Sequence, residues 1–119
     1  MGSRSFKDLV VWQRSIALVK AVYELSNAFP RDENFGLSSQ LRRAAFSIPS
    51  NIAEGSKRGS AKDFSQFLRI AMGSAAEVET QLIIVEEIYP SSKIQPALVL
   101  LDEVQKMLAV LLSRLGTKN

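Results

Sequence analysis

A chain of 119 residues with neither cysteine nor histidine has no disulfides and no thiolate chemistry, and it lacks both the commonest general base and the commonest metal ligand. With 46% apolar and 23% charged residues it reads as one globular domain spanning 1–119, and a net charge of +3 does not by itself dictate a partner. No apolar run approaches the ~20 residues that cross a bilayer, and the start, Met1-Gly2-Ser3-Arg4-Ser5-Phe6, resembles no signal peptide and places Phe6 where a myristoylation site requires Ser or Thr, so a soluble cytoplasmic protein is expected.

The first segment, about 7–29, carries two neighbouring apolar stripes at helical spacing. One is Leu9, Trp12, Ile16, Val19 and Tyr23; the other is Val11, Leu18, Val22, Leu25 and Phe29. Two stripes exceed what docking on one core requires, which predicts a second contact surface. Pro30 ends the segment, and Arg31-Asp32-Glu33-Asn34 supplies a polar turn.

A second helix, about 36–54, is predicted from Leu37, Leu41, Ala44, Ala45, Ile48 and Ile52 on one face. Ser38 or Ser39 suits its N-cap, Pro49 predicts a distortion around Ala45–Pro49, and Gly55 suits a left-handed C-cap. Ser60, with Asp63 three residues on, reads as the cap of a third helix over about 61–89. Its centre, Ala71-Met72-Gly73-Ser74-Ala75-Ala76, consists of small side chains and predicts close approach by another helix. Pro90-Ser91-Ser92 separates it from a fourth helix over about 94–115, with Leu98, Leu101, Val104, Leu108, Leu111 and Leu115 in one stripe. Four amphipathic helices on short connections imply an all-α, antiparallel up-down-up-down four-helix bundle.

Charge is segregated along the chain. Between Gln40 and Ile70, six cations (Arg42, Arg43, Lys57, Arg58, Lys62 and Arg69) stand against Glu54 and Asp63. From Ala71 to Glu103, six carboxylates face Lys93 alone. Such separation fits an anionic partner, a self-complementary assembly, or both. Arg42, Lys57, Arg58, Lys62 and Arg69 are therefore the candidate phosphate contacts, weighed against an ordinary solvated face. Nothing in the pattern reads bases.

Without histidine, the Glu-x-x-His pairs of a di-iron bundle cannot be built. Glu77, Glu86 and Glu87 are better explained as solvated helix carboxylates than as a cation site. No phosphate-binding glycine loop, nucleophile elbow or dinucleotide fingerprint occurs, so neither catalysis nor a cofactor is expected. The run from Gln40 to Gly55 mixes Arg43, Ser47, Asn51 and Glu54 with a strong apolar stripe. In an antiparallel hairpin Arg43 falls within one turn of Glu77. Two interpretations follow: a structural polar network, in which Arg43 pairs with Glu77 and Ser47, Asn51 and Glu54 satisfy the backbone near Pro49, or a polar surface held open for a ligand.

Several motifs together resemble the 23S rRNA-intervening-sequence proteins, also called four helix bundle proteins. They are Phe6-x-x-Leu9-x-x-Trp12-Gln13, Phe29-Pro30, Phe35-Gly36-Leu37-Ser38-Ser39-Gln40-Leu41-Arg42-Arg43, Ser47-Ile48-Pro49-Ser50-Asn51-Ile52-Ala53-Glu54-Gly55 and Phe67-Leu68-Arg69-Ile70-Ala71-Met72-Gly73-Ser74 with Glu77. Members are typically bacterial. The family is in turn similar to the accessory protein of diversity-generating retroelements, a pentameric barrel that works with a reverse transcriptase and nucleic acid. The resemblance thus implies a homo-oligomer, a pentamer by analogy, with a reverse-transcriptase or ribonucleoprotein partner. The expectation is a non-catalytic oligomer binding nucleic acid, RNA foremost, through a basic surface. The alternative is an assembly scaffold with no nucleic-acid role.

Overall fold

The computed structural model describes residues 5–33 and 36–116. Asn34 and Phe35, assigned above to the polar turn and to a family motif, lie outside them, as do residues 1–4 and 117–119. Four helices, α1 (Val10–Ser26), α2 (Leu37–Ser56), α3 (Ala61–Ile88) and α4 (Gln95–Arg114), form the protein, with single 3-10 turns at Phe6–Asp8 and Arg31–Glu33 and no strand among the described residues.

Each helix packs on its sequence neighbours, and α1 closes the bundle on α4. Contacts across the α1–α2, α2–α3 and α1–α4 seams run in opposite directions, which sets α3 and α4 antiparallel as well. Ser74 meets Ser47 and Phe67 meets Gly55 between α2 and α3, while Arg42 meets Ser26 and Phe46 meets Tyr23 between α1 and α2. Gln105 reaches Glu79 from α4 to α3, and Arg14 reaches Glu103 from α1 to α4. At the far ends of the last seam, Leu9 and Arg114 share one groove and Leu25 and Ala97 another. The result is the antiparallel four-helix bundle that short connections require.

The two stripes of α1 have different fates. Val11, Leu18, Val22, Leu25 and Phe29 are buried, whereas Trp12, Val19 and Tyr23 are only half-buried and Ile16 is exposed. The buried set joins Leu41, Ile48 and Ile52 of α2, Leu68, Val78, Leu82 and Val85 of α3, and Leu101, Val104 and Leu108 of α4 in one core. Each such side chain contributes about 1.5–3 kcal/mol on leaving water. The closest seam, α2 on α3, uses the small residues: Ala44, Ala45, Ala71, Ser74 and Ala75 are all buried there.

Helix ends depart from the sequence expectation for local reasons. The first helix does not run from residue 7 to 29. Ser5 Oγ accepts the Lys7 amide (3.1 Å) to cap a 3-10 turn, Leu9 is extended, and α1 begins at Val10. The bend lets Phe6 meet Trp12 edge to face at 5.3 Å between centroids. Neither Ser38 nor Ser39 caps α2. Glu33 Oε1 accepts the Leu37 amide at 3.2 Å, and Ser38 is buried in the first turn. Through Pro49 the helix runs unbroken, with Asn51 Nδ2 donating to the Ser47 carbonyl at 2.8 Å.

Glu33 also accepts from the Tyr89 hydroxyl at 2.6 Å, tying the start of α2 to the end of α3, and the Tyr89 ring stacks on Phe29. This bond, with the Leu37 amide, holds the Glu33 carboxyl below its ordinary value, and it pushes the Tyr89 hydroxyl up to about 12. The signs give opposite limits. The Glu33 contribution is complete above the ordinary carboxylate value and is lost as pH falls through its lowered pKa. The Tyr89 contribution is complete below the ordinary tyrosine value and is lost as pH rises through about 12. Thermal melts of Tyr89→Phe are therefore expected to show a smaller loss of stability at both extremes than wild type, with a constant deficit in between.

Candidate nucleic-acid interface

The turn between α2 and α3 is the centre of the basic group. Lys57 closes α2 in right-handed geometry, its amide shared between the Ala53 and Glu54 carbonyls, and Arg58 N–H bonds to the Gly55 carbonyl at 3.2 Å. The left-handed residue is Gly59 (φ +89°), and Ser60 Oγ accepts the Asp63 amide at 3.1 Å to start α3. Gly55 is therefore no C-cap. It is buried inside α2 against α3, where an added Cβ would stand 2.6 Å from Phe67 Cβ.

Lys57 and Lys62 are exposed, and among the described residues neither makes an ion pair. Arg58 bonds to Glu54 Oε2 at 2.9 Å and lies 4.8 Å over the Phe67 ring, which orients its guanidinium across the turn. Glu54 accordingly serves Arg58 and takes no part in a network with Asn51. Arg69 is exposed on α3, on the Lys62 face and about 10 Å further along the helix.

Arg42 does not belong to this surface. It lies about 22 Å back along α2 from Lys57. There its Nε donates to Ser26 Oγ at 2.7 Å, its Nη2 to Asn27 Oδ1 at 3.0 Å, and its guanidinium sits 4.5 Å over the Tyr23 ring. It clamps the end of α1 to the start of α2, and the adjacent Arg43 points elsewhere because successive helical residues diverge by about 100°.

The bundle adds two cations that the sequence did not group with the turn. Up-down topology brings the start of α1 and the end of α4 to the α2–α3 turn, so Lys7 and Arg114 join Lys57, Arg58 and Lys62 against Asp8, Glu54 and Asp63. The opposite end gathers Glu24, Asp32, Glu33, Glu86 and Glu87 against Arg31, Arg42 and Lys93. One end is basic and the other acidic, a polarity along the 48 Å axis of the molecule. Only the topology reveals it, because α4 and α1 are the most distant segments in sequence.

The polar residues of α2 separate in the same way. Ser47 Oγ accepts from Asn51 Nδ2 at 2.9 Å and from Ser74 Oγ at 2.7 Å, a compact link between α2 and α3. Arg43 and Glu77 are exposed on the two walls of one groove, and among the described residues they form no ion pair. The expected Arg43–Glu77 bridge is thus absent, since register made them neighbours but their side chains stay apart. A larger apolar cleft of about 580 Å³ lies at the acidic end beneath Phe29 and Tyr89. Among the described residues no three carboxylates converge as metal ligands, and no helix is long and apolar enough to cross a membrane.

No curated protein matches the chain. The family model of the 23S rRNA-intervening sequence protein matches residues 7–110, from the 3-10 turn ahead of α1 to the last turns of α4. With all but the final turn of α4 inside that match, the chain belongs to the 23S rRNA-intervening sequence protein family.

Proposed function

We propose that this protein is a non-catalytic, self-assembling four-helix bundle of the cytoplasm that binds nucleic acid, RNA foremost, through its basic end, alone or within a ribonucleoprotein. The observation that carries the proposal is the gathering of Lys7, Lys57, Arg58, Lys62 and Arg114 at one end, with Lys57 and Lys62 held by no ion pair among the described residues. Such cations neutralise phosphates and release counterions, a gain that does not depend on sequence. The Phe67 ring lies under Arg58, so that ring is covered by charge and is not free to stack on a base. Repeating the end around a closed oligomer, a pentamer by analogy with the retroelement accessory protein, multiplies a weak single contact.

Electrophoretic shifts with single-stranded RNA and with duplex DNA test the proposal. Both are expected to shift at low salt, with similar affinity across sequences. Replacing Lys57, Arg58 and Lys62 together by glutamine is expected to weaken binding about tenfold or more while leaving the helical circular dichroism intact, since the exposed Arg58–Glu54 pair contributes only about 0.5 kcal/mol.

A second reading, an assembly scaffold that touches no nucleic acid, is favoured by Ile83, Ile84 and Ile88 on α3 and Val99 on α4, all large apolar side chains left exposed. The absence of any shift at low salt with the intact oligomer would select it.

A further inference from the structure

The groove that separates Arg43 from Glu77 encloses about 500 Å³ between α2 and α3, and its lining is mainly polar. Its two walls have opposite hydrogen-bonding sense. From α2, Arg43 and Ser47 sit four residues apart on one face and offer donors. The Ser47 oxygen already accepts from Asn51 and from Ser74, which leaves its own proton uncommitted. From α3, Glu77 and Gln81, again four residues apart, offer acceptors. Gln81 Oε1 is fully buried and accepts no hydrogen bond from any described residue. A buried acceptor without a donor is costly, and a half-turn of the Gln81 amide would bring that oxygen to the groove, where a ligand N–H could supply the donor.

We propose that this groove binds a small zwitterion of the amino-acid or short-peptide class, its carboxylate on Arg43 and Ser47 and its ammonium group on Glu77 and Gln81. A plain anion would meet the Glu77 carboxylate, and a plain cation would meet the Arg43 guanidinium. Only a ligand carrying both charges satisfies both walls, and a planar guanidinium suits a carboxylate in particular. The site lies away from the basic end and does not depend on nucleic-acid binding.

The test is a titration of the full, assembled chain with glycine, β-alanine and glycylglycine, which hold the same two charges at increasing separation, followed by amide resonances in TROSY spectra. Saturable shifts in residues 39–47 and 77–81 are expected with at least one of them. Arg43→Gln and Glu77→Gln are each expected to weaken that binding about tenfold or more, and acetate or methylammonium, each bearing half of the pattern, to bind correspondingly less well. Gln81→Leu gives a separate readout: it removes the orphaned acceptor, so binding weakens while the melting temperature stays level or rises. The proposal is overturned if none of the three probes gives saturable shifts, or if affinity is unchanged in Arg43→Gln and Glu77→Gln. It is also overturned if Arg43→Gln disperses the oligomer without altering the titration, which would make the groove a contact between copies.

Discussion

Gly55→Ala is expected to destabilise the bundle by about 2 kcal/mol, although alanine favours a helix over glycine by about 1 kcal/mol. The cause is contact. The new Cβ would lie 2.6 Å from Phe67 Cβ and 3.0 Å from Phe64 Cδ1, and a Cβ cannot swing away as the tip of a long side chain can. Relief requires α2 and α3 to separate along the most extensive seam of the fold. Gly73→Ala supplies the control. Gly73 is exposed in mid-α3 with nothing within 4 Å of an added Cβ, so the same change there is expected to stabilise by about 0.5–1 kcal/mol. Urea unfolding of the two variants should therefore move the midpoint in opposite directions.

A still larger loss is expected in the last two turns of α3. Leu82 is 0% exposed in the core and Ile83, the next residue, is 54% exposed. Leu82→Ala removes buried methyl groups from between α3 and its neighbours and leaves a cavity, at about 2–5 kcal/mol. Ile83→Ala is expected to change chain stability by no more than about 0.5 kcal/mol. If copies assemble through Ile83, Ile84 and Ile88, that variant should instead weaken self-association, visible as a lower mass in light scattering at unchanged helical content. A monomeric wild type at micromolar concentration would contradict the assembly part of the account.

The four helices were legible because their apolar residues recur at helical spacing, and a period survives errors about any one residue. The doubled stripe of α1 was legible as well, though not which stripe faces inward. That is decided by the partners α2 and α4, which bury Leu18 and Val22 and leave Ile16 out. Gly55 was misread because a glycine that ends a helix and a glycine that admits a neighbour look alike in sequence. The difference lies in Phe64 and Phe67, which approach only after the chain has turned. The cap of α2 was missed because it comes from Glu33, outside the helix, and not from the serines within it.

The candidate site divides along the same line. Lys57, Arg58 and Lys62 are close in sequence and share one turn, so composition alone grouped them. Lys7 and Arg114 join them through topology, a long-range property that no local window contains. Arg42 was grouped with them by charge, yet its position on α2 directs it to Ser26, Asn27 and Tyr23. For Arg43 and Glu77 the antiparallel register placed the residues correctly as neighbours. Register does not determine side-chain reach, and the two stand across a groove instead of in a bridge.

The most direct measurement of the central claim is the salt dependence of single-stranded RNA binding, by fluorescence anisotropy, for wild type and for a Lys57→Gln, Lys62→Gln double variant. Counterion release predicts a linear fall of log affinity with log salt, about 0.7 in slope for each phosphate neutralised on a single strand. Losing two contacts should make the double variant shallower by about 1.4 for each basic end engaged. Identical slopes in the two proteins, or no binding by the wild-type oligomer at the lowest salt, would contradict the assignment of phosphate binding to this end of the bundle.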